Sequence, residues 1–111
     1  MTAKATIAAA KTPSPQGRST AASGMATSVP KVPGATGYID TNYRGKAEAA
    51  LAALERVDYV YLHVEAPDEA AHSGNLEHKL QAIEAFDAEV VGVVLDGIKK
   101  FGAYRILCTP D

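Results

Sequence analysis

From residue 34 onward the apolar positions switch between two spacings, and the switches mark out four elements. Ala47, Ala50, Leu51 and Leu54 recur at helical intervals and predict a helix from about Tyr43 to Arg56, with Asn42 placed to cap it. Tyr59-Val60-Tyr61-Leu62-His63-Val64 is short, apolar and rich in β-branched and aromatic residues, which predicts a strand. Helical spacing returns with Leu76, Leu80, Ile83, Phe86, Val90, Val94 and Ile98. Asn75 caps this second helix, Glu77 stands in its first turn, Lys99 and Lys100 suit the negative end of its dipole, and Gly102 ends it. Tyr104-Arg105-Ile106-Leu107-Cys108 is the second strand.

The order helix-strand-helix-strand gives an α/β fold class. Two strands joined through a long helix are expected to be parallel, with a right-handed connection. Residues 58 to 64 and 104 to 108 are therefore predicted to be neighbouring parallel strands. Helix 76 to 100 should cross them through Leu80, Ile83, Val90 and Val94.

The first third of the chain follows no such pattern. Residues 1 to 33 carry four bases (Lys4, Lys11, Arg18, Lys31) and no acid, whereas residues 34 to 111 carry seven bases against thirteen acids, for −2 in all. Ala, Ser and Thr dominate this leader, and Pro13, Pro15, Pro30 and Pro33 interrupt any helix. Such a segment buries too little apolar surface to offset its ordering entropy, so 1 to 33 are expected to be a disordered leader and 34 to 111 the folded unit. A helix over Ala3 to Lys11 would be marginal in isolation.

Composition narrows the function classes. No apolar run approaches the roughly twenty residues that span a bilayer, and Ile7-Ala8-Ala9-Ala10 is too short for a secretory core, so the expectation is a cytoplasmic protein without a membrane. The acidic folded part and its few aromatics argue against nucleic acid. Gly34-x-x-Gly37 lacks the Gly-Lys-Ser/Thr ending of a phosphate loop and reads as a turn into the first helix. Cys108 stands alone in an apolar strand, where a buried, inert thiol is expected. With about eighty folded residues and open sheet edges, the chain is expected to be marginally stable and prone to self-association.

Candidate chemistry concentrates in Ala66-Pro67-Asp68-Glu69-Ala70-Ala71-His72, just past the first strand. Ligands of parallel α/β sheets collect beyond the carboxyl ends of the strands. Asp68 and His72 stand four residues apart, and a helical turn would aim a carboxylate oxygen and an imidazole nitrogen at one cation; the plain alternative is a solvated loop pair. Thr109-Pro110-Asp111 follows the second strand, so Asp111 should reach the same sheet edge. Glu65 shares a strand face with His63 and Tyr61 and, nearer the strand end, is a candidate for orienting a metal-bound histidine. His63 reads as a packed core histidine, His78 as a solvated group, and Asp87, near the apolar stripe, as a carboxylate bonded to a loop backbone or placed at a solvated edge.

Three stretches then carry a resemblance: Val32-Pro33-Gly34-Ala35-Thr36-Gly37-Tyr38-Ile39-Asp40-Thr41-Asn42-Tyr43, His63-Val64-Glu65-Ala66-Pro67-Asp68-Glu69-Ala70-Ala71-His72, and Thr109-Pro110-Asp111. In this order the chain resembles the archaeal-type cofactor-independent phosphoglycerate mutases, of the alkaline phosphatase superfamily, over residues 32 to 111. The resemblance implies a partial alkaline-phosphatase-like fold and two divalent metal ions, with Asp68 and His72 serving the first and Asp111 the second. Oxygen and nitrogen ligands without thiolate suit Mn²⁺ or Zn²⁺, with Mg²⁺ behind them. It further implies a glycolytic reaction, the interconversion of 2- and 3-phosphoglycerate through a phosphoserine. The family's nucleophilic serine, another metal-binding Asp and further His ligands have no match here, so no catalytic residue is assigned, and weak metal binding without turnover is expected. Two other readings stay open: a catalytically silent remnant or binding module, and another phosphatase or phosphomutase of the superfamily.

Overall fold

The computed structural model describes residues 5–11 and 30–110. Its elements are β1 (Ala5–Lys11), α1 (Tyr43–Leu54), β2 (Tyr59–Val64), α2 (Ala66–His72), α3 (Leu76–Ala85), a π-helical segment (Phe86–Val91), α4 (Gly92–Gly97), a 3₁₀ turn (Ile98–Phe101) and β3 (Tyr104–Pro110). The mixed α/β class and the helix-strand-helix-strand order from residue 43 agree with the sequence pattern.

The sheet differs from the expectation. Its order is β2-β1-β3, and β1 is antiparallel to both neighbours. The two expected strands therefore do run in the same direction, but they do not pair; Ala5–Lys11, assigned to the leader from composition, lies between them. The physical reason lies in the edges. Two short strands alone would leave rows of unpaired N–H and C=O groups, and a third strand satisfies one row of each. Alanine has little β preference of its own, so β1 is held by ladders on both sides rather than by its composition. Ile7, 1% exposed, is its anchor in the core, set opposite Leu62 and Cys108.

One face of the sheet carries all the helices. Ile7, Ala9 and Val64 meet Ala47 and Leu54 of α1 and Ala82, Val90, Val94 and Ile98 of the long helical stretch in one buried cluster. The capping assignments agree with the structure. Asn42 accepts a hydrogen bond from Gly45 N at 2.9 Å and Asn75 accepts one from His78 N at 3.0 Å. Gly102 takes φ 83°, the positive value a helix stop of this kind needs. Gly97 lies where α4 crosses α1, and a Cβ there would run into the side chain of Leu51.

The expected apolar stripe, by contrast, is split. Val90 and Val94 are buried, but Leu80 is 53% and Ile83 45% exposed, as is Leu76 at 71%. The π-helical segment accommodates about one extra residue, which turns the following helix by roughly 100° relative to a regular α-helix. Ile83 and Val90, aligned on an ideal helix, thus point to different sides. The buried line instead runs through Ala82, Val90, Val94 and Ile98.

One further side chain departs from the sequence reading. Cys108 is exposed, because β3 lies at a sheet edge that the helices do not cover. Burial of part of its thiol surroundings, and then the Asp87 carboxylate, push the Cys108 thiol above its ordinary value. Its alkylation by iodoacetamide at pH 7.5 should therefore be several times slower than that of free cysteine, and Asp87→Asn should speed it; a rate at or above that of free cysteine would contradict this. Asp87 itself is exposed, as expected.

Tyr43 is 5% exposed, and its hydroxyl has no hydrogen-bond partner among the described residues. Burial, followed by Glu89 and Asp40, raises its phenol above the ordinary value of 10.0. A raised folded-state value means stability that is complete below pH about 10 and lost as pH climbs through the folded value. Tyr43→Phe should match or exceed the wild type by up to about 1 kcal/mol at pH 8 and should retain more of its stability above pH 10. Urea unfolding at the two pH values measures both effects.

Candidate metal site

The candidate site forms where β2 runs into α2. Val64 is fully buried at the end of β2, and the chain turns at once into α2, whose first turn takes Pro67 without loss because no intrahelical N–H bond is needed there. Asp68 and Glu69 follow in the same turn, where the positive end of the helix favours carboxylates. The helix ends after His72. Ser73, Gly74 at φ 71° and the Asn75 cap then reverse the chain into α3.

Helical spacing sets Asp68 and His72 side by side, with His72 Nε2 3.3 Å from Asp68 Oδ1. The two differ in environment. The Asp68 side chain is 5% exposed and that of His72 60%, so a carboxylate forms the floor and an imidazole the rim. Asp68 Oδ1 is buried and has no aligned hydrogen bond, despite the nearby imidazole. Such an oxygen is costly to bury unless something positive meets it.

Glu65 and Glu69 complete the surroundings. One carboxylate oxygen from each of Glu65, Asp68 and Glu69 lies within 4.8 Å of the others. At 4.8 Å a pair of unit charges repels by about 3.5 kcal/mol at an effective dielectric near 20, and by less where Glu69 meets water. Glu65 also lies 3.9 Å from His63 Nε2, so the histidine within its reach is the strand residue His63. Glu69 was not singled out in the sequence; its only signal there is a second acid directly after Asp68.

Neighbouring elements hold this turn in place. Lys79 of α3 donates to the carbonyl of Pro67 at 3.1 Å, tying the start of α2 to the next helix. Lys46 of α1 donates to Thr36 O at 3.1 Å; burial lowers its ammonium below the ordinary lysine value, and Glu65 partly opposes this. The loop before α1 is fixed by Thr36 N donating to Thr41 Oγ1 at 2.9 Å and Thr36 Oγ1 donating to Asp40 at 2.8 Å. Tyr38 of that loop shares a 2.9 Å hydrogen bond with His78 Nδ1, their rings edge to face. His78 is thus engaged and half-buried, not merely solvated.

The register also places the second strand end. Val64 and Pro110 both pair with Ala5, so β2 and β3 finish at the same sheet edge, one strand apart. Asp111 lies outside the described residues. Ser73 is the single serine among the described residues; its hydroxyl donates to Ala70 O at 2.9 Å, at the opposite end of α2 from Asp68. No helix among the described residues is long and apolar enough to cross a membrane.

The chain is similar in sequence to known proteins. The sequence model of the metalloenzyme superfamily matches residues 8–111. A probable 2,3-bisphosphoglycerate-independent phosphoglycerate mutase of Geobacter sulfurreducens is 76% identical over 81 residues, 73% of this chain and 20% of that protein. The 2,3-bisphosphoglycerate-independent phosphoglycerate mutase of Methanothrix thermoacetophila is 63% identical over 81 residues, 72% of this chain and 21% of its own length. That of Methanosarcina acetivorans is 54% identical over 82 residues, with 73% and 21% covered. The chain thus spans about a fifth of the length of these curated relatives. No solved structure matches it.

Proposed function

The chain belongs to the metalloenzyme superfamily, and from that premise we propose that it carries part of the metal centre of a 2,3-bisphosphoglycerate-independent phosphoglycerate mutase. The observation that carries this reading is the buried, unbonded Oδ1 of Asp68 inside a group of carboxylates with His72 at its rim. The donors fit a divalent cation. Carboxylate oxygens and one imidazole suit Mn²⁺ or Zn²⁺, and Mg²⁺ less well.

Asp68 and His72 would hold the first cation, with Glu65 and Glu69 adding negative charge around it; Asp111, beyond β3, is proposed for a second. When bound, such cations neutralise charge on a phosphoryl group and ease its transfer. The chain's own residues do the holding. Asp68, buried in the first turn of α2, would supply a carboxylate oxygen and the exposed His72 an imidazole nitrogen at the rim. Lys79 keeps the Pro67 turn from opening, and Glu65 faces both His63 and the carboxylate pair.

The substrate class proposed for the complete centre is phosphoglycerate, the compound named in the relatives' descriptions. Within this chain the committed Ser73 hydroxyl favours a second reading of the chain taken alone: a metal-holding unit without turnover.

Calorimetric titration with Mn²⁺ and Zn²⁺ tests the proposal. The wild-type chain should bind, weakly, and His72→Ala should weaken binding by tenfold or more, because one of few ligands is removed. Equal binding by both proteins would remove His72 from the site.

A further inference from the structure

On the exposed surface Arg44 pairs with Glu48, Lys99 with Asp96 and Lys100 with Glu55. Two half-buried lysines behave differently. Lys79 Nζ donates to Pro67 O and Lys46 Nζ to Thr36 O, each at 3.1 Å, and neither forms a salt bridge among the described residues. An ammonium carries three N–H groups, and each of these carbonyls takes one. A half-buried charge with spare donors and a neutral partner bears a desolvation penalty that an anion relieves. Lys46 registers that penalty: burial draws its ammonium below the ordinary lysine value, while Glu65, too far away to pair, acts in the opposite direction.

Both lysines border the turn that carries Asp68. Pro67, the acceptor for Lys79, directly precedes Asp68, and Lys46 lies within electrostatic reach of Glu65 at the start of the same turn. A run of hydrogen bonds ties the two anchors together: Tyr38 N donates to Thr36 Oγ1 at 3.3 Å, the Tyr38 hydroxyl meets His78 Nδ1 at 2.9 Å, and His78 is the neighbour of Lys79 on α3. The carbonyls hold both ammoniums in place, so less rotamer freedom is left to lose when a ligand arrives.

We propose that Lys79 and Lys46 form an anion subsite that receives the phosphoryl group of a phosphate monoester beside the Asp68–His72 pair. Lysine binds phosphate as a point charge, and a phosphoryl group offers three charged oxygens, enough for the spare donors of two ammoniums, where a carboxylate offers two. The role of the anion rests on the proposed phosphoglycerate reading of this turn, but its binding does not require a metal.

Calorimetric titration of the 111-residue chain with inorganic phosphate, in chelator and at low salt, tests the subsite. Phosphate should bind, and Lys79→Met should weaken it by about tenfold, the effect of losing one charge-assisted donor. Lys79→Arg keeps the charge and a donor for Pro67 O and should restore most of the affinity, and Lys99→Met should bind like the wild type. Circular dichroism establishes that Lys79→Met is folded. Trace acetylation by acetic anhydride reads the same surface without a substitution: phosphate should slow modification of Lys46 and Lys79 and leave Lys99 and Lys100 unaffected. No phosphate binding, equal binding by wild type and a folded Lys79→Met, protection spread evenly over all four lysines, or displacement of phosphate by equimolar acetate would each overturn the proposal. Mn²⁺ titration without phosphate is a separate measurement, so a chain that holds phosphate but no metal would sink the metal centre and leave this subsite standing.

Discussion

Asp68→Asn is expected to abolish divalent-cation binding while leaving the metal-free chain at least as stable as the wild type. The two effects have one origin. Asp68 is 3% exposed, and its Oδ1 has no aligned hydrogen bond, so in the absence of a cation its negative charge is buried beside Glu65 and Glu69 with little to offset it. The amide keeps the shape and removes the charge. Urea unfolding in chelator should therefore show a gain of about 1 kcal/mol or no change, whereas Mn²⁺ affinity should fall on the order of 100-fold or more. Adding Mn²⁺ at 100 times its dissociation constant should stabilise the wild type by about 2.7 kcal/mol and the variant hardly at all. If Asp68→Asn instead unfolded the chain at unchanged metal affinity, Asp68 would be a structural residue and the site would lie elsewhere.

The Asp68–His72 pairing was legible in the sequence because its geometry is local. Asp68 and His72 belong to one seven-residue helix, and four-residue spacing brings them together whatever surrounds that helix. The same holds for the Asn42 and Asn75 caps, each of which bonds an N–H three residues ahead. What the sequence did not disclose depends on tertiary partners. β1 is an alanine-rich strand whose stability comes from ladders to two segments far away in the chain, and no local pattern announces that. Leu80 and Ile83 were misplaced because the π-helical segment changes the helix phase after them, and Phe86–Val91 shows no proline or paired glycines to signal it. The Tyr38–His78 bond joins residues forty apart and could be found only once α3 had been placed against the loop before α1.

Purified chain supplied with Mn²⁺ and 3-phosphoglycerate is expected to show no mutase turnover in an enolase-coupled assay, even where titration shows that metal is bound. Transfer through a phosphoserine needs a hydroxyl beside the metal-binding carboxylates. Among the described residues, Ser73 is held by the Ala70 carbonyl at the far end of α2, and the buried Thr41 hydroxyl accepts from Thr36 N in the loop before α1. Neither stands by Asp68. Loss of a nucleophile in covalent catalysis costs on the order of 10⁶ in rate, and metal-bound charge does not replace it, because polarising a phosphoryl group leaves it with nothing to receive it. Ser73→Ala should accordingly change neither the background rate nor the metal affinity. Metal-dependent interconversion of the two phosphoglycerates above background, abolished by Asp68→Asn, would show instead that a hydroxyl of this chain reaches the site.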